Sequence, residues 1–124
     1  MIRNFLLVGM GGALGSMLRY GSGLLIGPKP FPLATLLINI TGSFIIGVVM
    51  AYGLKNEAFA DNWKLFLATG ICGGFTTFSA FSLDNLQLFQ NGKFGMFTLY
   101  ITSSVLLGIA AVWVGFKLIN LITN

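Results

Sequence analysis

Apolar residues fall into four long runs, at about residues 5–26, 33–54, 63–88 and 94–121, separated by short polar or turn-forming stretches. A helix needs about 20 apolar residues to cross a bilayer, and each run is long enough. The pattern predicts an all-α integral membrane protein with four transmembrane helices. Little sequence remains between the runs, so residues 1–124 are expected to form a single membrane unit with no soluble domain. The third run is interrupted at its centre by Gly73-Gly74-Phe75-Thr76-Thr77-Phe78-Ser79-Ala80-Phe81-Ser82. Adjacent glycines and adjacent β-branched threonines make a poor straight helix. A break in the third helix is therefore expected. Irregular backbone at membrane depth survives only inside protein or beside water, which points to an ion or substrate site.

Composition narrows the class. The chain is 56% hydrophobic and 8% charged, with mean hydropathy +0.89; soluble domains carry roughly 25% charged residues. The start, Met1-Ile2-Arg3-Asn4 before an apolar run, superficially resembles a signal peptide. The run is too long, however, and meets Arg19 rather than a small-residue cleavage site, so it reads as a retained helix ending near Tyr20. Histidine is absent, and the acids are Glu57, Asp61 and Asp84. Glu57 and Asp61 fall in the connection between helices two and three. No proton relay, hydrolytic constellation or side-chain metal cluster is evident, and no enzyme is expected. The single cysteine, Cys72, excludes an intrachain disulfide. The net charge of +4 comes from scattered basic residues, which form no nucleic-acid patch.

Charge fixes no orientation. The amino-terminal side of a four-helix chain would carry Arg3, Lys55, Lys64 and Lys117, 4 in all, against Arg19, Lys29 and Lys93, 3 in all, on the other side. Basic residues normally accumulate on the cytoplasmic side. Such a balance suits either dual insertion as an antiparallel homodimer or one orientation set by the charges nearest the helix ends. Four helices enclose little space, so a pathway is more plausible at a two-fold interface. Gly11/Gly15, Gly12/Ser16, Ser43/Gly47 and Gly70/Gly74 are small-xxx-small pairs that let helix backbones approach.

The polar residues inside the spans admit two readings each. Arg19 is either a snorkelling end residue or part of an anion-attracting vestibule, and it is a candidate partner for Asp84. Thr35, Asn39 and Ser43, spaced i, i+4 and i+8, share one helical face. Asn39 serves either as interhelical glue or as an uncharged donor lining a path. Phe78 and Phe81, with Ser79 and Ser82 beside them, are either packing or a set of electropositive ring edges for an anion. Carbonyls at the break suit a hard cation, unless threonine hydroxyls and water satisfy them. Tyr100, Ser104 and Gly108 either continue a polar path or form an interfacial tyrosine above a small packing face.

GGALGSMLRY in helix one, NITGSFIIG in helix two and GICGGFTTFSAFS in helix three, in that order, resemble the small bacterial fluoride channels called Fluc or CrcB. The resemblance covers essentially the full length. It implies an antiparallel, dual-topology homodimer in the plasma (inner) membrane, with two fluoride pathways and a structural sodium ion on the dimer axis. It implies that the backbone carbonyls of Gly73 and Thr76 hold the sodium. By the same resemblance, Phe78 and Phe81 present ring edges to fluoride, and Asn39 and Ser79 lie on the pore. Tyr100 and Ser104 begin a polar track, with Thr35 on the same pathway, and Arg19 lies at a vestibule. Gly108 departs from the further hydroxyl expected on that track. Membrane lipid, fluoride and sodium are the expected partners.

Two other functions compete. A small dual-topology multidrug exporter would need a membrane glutamate in helix one, where this chain has no acid. A non-conducting assembly protein would use the glycines for packing but leaves the conjunction of polar stripe, phenylalanine pair and break unexplained.

Overall fold

Proline and glycine punctuate the chain where the first apolar run ends. In the computed structural model, which describes residues 1–123, α1 (Ile2–Ile26) continues past Tyr20. Gly21 to Ile26 keep their backbone donors, so the helix runs on until Gly27, at φ 75°, with Pro28 behind it. The expected end near Tyr20 is thus corrected by two turns. Pro32 precedes α2 (Leu33–Lys55). The next connection is not a plain loop: Asn56 caps a short helix, α3 (Glu57–Asn62), by accepting from the Phe59 N–H at 3.0 Å. Glu57 and Asp61 lie on this helix.

The third apolar run folds in three pieces. Leu65–Cys72 is a π-helix, a rare form usually seen as a short bulge; nothing in LFLATGIC announces it. α4 (Gly73–Phe75) returns to α-helical geometry. Thr76 and Thr77 are extended, at φ/ψ −81°/157° and −151°/120°. α5 (Phe78–Gln90) follows, with the Thr77 hydroxyl accepting from the Ala80 N–H at 3.1 Å as its cap. The chain therefore leaves the helix at the threonine pair, while both glycines stay helical. Gly92, at φ 72°, turns the chain into α6 (Phe94–Thr123).

Three segments are long and apolar enough to cross a membrane: Leu33–Lys55, Leu65–Gln90 and Phe94–Thr123. α1 has the length, 25 residues, but Arg3, Ser16, Arg19 and its glycines dilute its apolarity. Large apolar side chains such as Leu25, Ile109 and Leu121 stand exposed on the outside, as a bilayer solvent allows.

Glycine sets the close crossings. α2 packs along α6, and α1 along the π-helix and α4. A Cβ on Gly70 would come 2.9 Å from the Gly11 Cα, and one on Gly11 would come 2.8 Å from the Gly70 Cα, so two backbones meet there. At the other crossing Gly47 faces the Val112 carbonyl and Gly115 faces the Phe44 carbonyl. Arg3 donates to Asn62 Oδ1 at 3.4 Å, which puts the amino end of α1 beside α3. At the far end, residues 27–33 share a cavity wall with Asp84, Asn91 and Lys93. One buried cluster comprises Leu36, Leu88 and Tyr100, with Phe31, Ile40, Phe81, Met96 and Phe97 against it.

Candidate functional site

Two extended threonines in a helical segment strip several backbone groups of their usual partners. The Thr77 N–H, which would close an α-turn onto Gly73, instead donates to Asn39 Oδ1 at 2.8 Å. Asn39 Nδ2 donates in return to the Thr77 carbonyl at 3.0 Å. One side chain of α2 thus takes both polar groups of a single residue at the break. The Thr76 hydroxyl and N–H both fall on the Cys72 carbonyl, at 2.8 and 3.0 Å. Arg19 reaches over from α1, and its Nε–H donates to the Gly74 carbonyl at 3.1 Å.

Two carbonyls are left over. Gly73 loses its donor to Asn39, and Thr76 loses its donor because Ala80 N–H turns to the Thr77 hydroxyl. Neither gains another hydrogen bond among the described residues. Hard cations prefer oxygen ligands, and unpaired carbonyls on irregular backbone are such ligands. Among the described residues no cluster of three or more His, Cys, Asp or Glu offers an alternative metal site. The two carbonyls therefore offer the oxygen donors that a hard cation takes.

The break opens on a cavity of about 630 Å³. Of the residues expected at a site, Asn39, Gly73, Thr76, Phe78, Phe81 and Ser104 line it, and Gly108 lines it too. No charged side chain does so among the described residues. The Phe78 and Phe81 rings lie 5.8 Å apart and are inclined at 41°. Phe81 is half-buried against Tyr100, at 5.0 Å, whereas Phe78 is 78% exposed and projects from the chain.

Other expected residues fall elsewhere. Ser79 is exposed, its hydroxyl 3.2 Å from the Thr77 hydroxyl. Tyr100 is fully buried. Its hydroxyl donates to Asp84 Oδ2 at 2.9 Å, and Phe31 packs edge-on against its ring at 5.6 Å. Thr35 and Asp84 line a second, smaller cavity of about 280 Å³ at the bundle end, with Lys29 and Lys93. The suggested Arg19–Asp84 pair is not formed. Arg19 instead donates to a backbone carbonyl, and Asp84 accepts from a phenol. Sequence reasoning missed both of these bonds. No spacing signals them, although the rule that a polar group inside a membrane needs a partner would have prompted the search.

A family model described as "CrcB-like protein, Camphor Resistance (CrcB)" matches residues 6–116. The chain belongs to the CrcB family. A CrcB relative named "Fluoride-specific ion channel FluC", from Azobacteroides pseudotrichonymphae genomovar. CFP2, is 45% identical over 121 residues, 95% of this chain and 97% of its own length. Proteins of the same name from Flavobacterium psychrophilum and Thermus thermophilus are 46% and 43% identical, covering 87% and 94% of this chain and 90% and 95% of their own lengths. With three segments long and apolar enough to cross a membrane, this CrcB chain is a multi-pass plasma-membrane protein and not an enzyme.

Proposed function

We propose that the chain is a fluoride-selective passive channel that lets fluoride leave the cell. The observation that carries this reading is the cavity beside the threonine break, walled by hydroxyls, ring carbons and backbone without a charged side chain. Relatives named as fluoride-specific channels over nearly the whole chain supply the ion. Fluoride is small and strongly hydrated, so entry requires many modest replacement contacts. Phe78 and Phe81 can offer electropositive ring edges, and Ser79 and Ser104 can each donate one O–H. Asn39 uses one amide hydrogen on Thr77 and keeps the other for the cavity. Weak uncharged donors allow exit as well as entry, as conduction demands. Thr35 and Tyr100 would extend the pathway towards the bundle end, with the cationic Arg19 drawing anions to its mouth. The chain lacks histidine and has no acid in its apolar runs other than Asp84, which suits passive flow.

The working unit proposed is an antiparallel homodimer of four-helix subunits, α1 being the fourth span and the threonine break lying at mid-membrane. Its two pathways lie at the interface. The near-equal basic charge on the two ends and the 78% exposure of Phe78 in the single chain favour this arrangement. The unpaired Gly73 and Thr76 carbonyls, a pair from each copy, would hold a structural sodium ion on the dimer axis. That ion would supply fixed positive charge and neutralise the carbonyl dipoles between the copies.

Reconstitution tests the reading. Liposomes loaded with potassium fluoride and carrying the purified protein should release fluoride when valinomycin is added, and identical vesicles loaded with chloride should not. Equal release of both ions, or of neither, would refute it.

A further inference from the structure

Two serine hydroxyls at the cavity have no partner. Ser104 Oγ is buried and makes no hydrogen bond, and Ser43 Oγ makes none among the described residues. Helical serines and threonines commonly fold their hydroxyls back onto a carbonyl one turn earlier. This chain does so at Ser103, which donates to the Leu99 carbonyl, and at Thr123, which donates to the Ile119 carbonyl, each at 2.6 Å. Ser43 and Ser104 do not. They come from different helices, α2 and α6, and line the same space.

Gly108 lies one turn beyond Ser104 on the same face of α6 and lines that space too. A Cβ placed there would touch only Ser43 Oγ, at 3.8 Å. The α6 wall is therefore bare where α2 presents a free hydroxyl. We infer that Ser43 is an ion-binding residue of the pathway, forming with Ser104 a two-hydroxyl station for a dehydrated fluoride in the gap left by Gly108. α2 supplies the donor at the level where α6 has none. The inference rests on the fluoride reading of the same cavity. A hydroxyl has one proton to give and no charge, so the station passes the ion on.

Fluoride efflux from liposomes, read with a fluoride electrode, tests it with wild type, Ser43→Ala and the double variant Ser43→Ala/Gly108→Ser. A hydrogen bond to a charged group accounts for about tenfold or more in occupancy. Ser43→Ala should slow efflux about tenfold with unchanged gel-filtration behaviour, and the double variant should regain most of the rate by restoring a hydroxyl from the opposite wall. Ser43→Ala within about twofold of wild type would overturn the inference. So would a double variant as slow as Ser43→Ala, since the role would then be packing. If Ser43→Ala does not assemble, Gly108→Ala decides. Its methyl makes only an ordinary contact with Ser43 but fills the gap, so slower efflux supports the station and wild-type efflux refutes it. A wild type that passes no fluoride would fail the parent reading itself, and the station with it.

Discussion

Replacing Asn39 by leucine removes the one side chain that holds Thr77 out of the helix. Two hydrogen bonds go, at 2.8 and 3.0 Å, and both leave a backbone group behind. A buried donor or acceptor stripped of its partner costs about 1–3 kcal/mol, so the pair sets an upper range of about 2–6 kcal/mol. Part of this returns, because the freed Thr77 N–H can swing back to the Gly73 carbonyl and close an α-turn. The net loss should be about 2–4 kcal/mol. Equilibrium unfolding in mixed micelles, titrated with a denaturing detergent, reads this loss. Hydrogen exchange at the Thr77 amide reads the cause: the amide is protected in wild type and exchanges faster in Asn39→Leu. Asn39→Asp retains the acceptor for Thr77 N–H but, when ionised, sets an oxygen against the Thr77 carbonyl, and should also lose stability. If Asn39→Leu unfolds within about 0.5 kcal/mol of wild type, well below a single stripped bond, Asn39 does not hold the break and the origin of the free Gly73 carbonyl is misassigned.

Other consequences follow from the same contacts. Gly15→Ala would drive a methyl into the Ile71 carbonyl, with the Phe75 N only 2.8 Å away, whereas Gly9→Ala meets nothing within 4 Å. Gly15→Ala should cost about 1–3 kcal/mol by overpacking, and Gly9→Ala should be neutral or slightly stabilising, by the same unfolding titration. Tyr100→Phe removes the donor to Asp84 and should destabilise by about 1–3 kcal/mol; unchanged stability would mean that the carboxylate is satisfied elsewhere. Phe81→Ile keeps bulk against Tyr100 but loses the ring edge, so fluoride efflux should fall sharply while the protein elutes unchanged on gel filtration. Exchange of sodium for a large organic cation during purification should impair assembly or flux if the Gly73 and Thr76 carbonyls hold the ion, and indifference would remove it from the account.

Much of the scaffold was legible because its cues are local. Apolar run length gave the long helical segments, and Gly27-Pro28 and Pro32 marked the turn between the first two. The threonine pair was suspect from its β-branching, although the adjacent glycines drew equal suspicion and remain helical. Glycine in a helix is a weak breaker when a neighbouring backbone needs the space, as at Gly74, where an added Cβ would come 3.0 Å from the Gly12 Cα. The π-helix was not legible, since nothing in LFLATGIC marks that hydrogen-bond register. Asn39 stood out as a costly polar group, yet its partner, the Thr77 backbone 38 residues away, has no sequence signature. The same holds for Arg19 on Gly74 and Tyr100 on Asp84, which only the tertiary arrangement brings together. Ser43 was visible on the polar face of helix two, but the gap opposite it at Gly108 needed the packed helices to appear.

A planar-bilayer recording addresses the central claim most directly. With equal chloride on both sides and a tenfold fluoride gradient, a fluoride-selective passive pathway should carry current that reverses at the fluoride equilibrium potential, about 59 mV for a monovalent ion. A reversal near zero, or no current at all, would contradict the account.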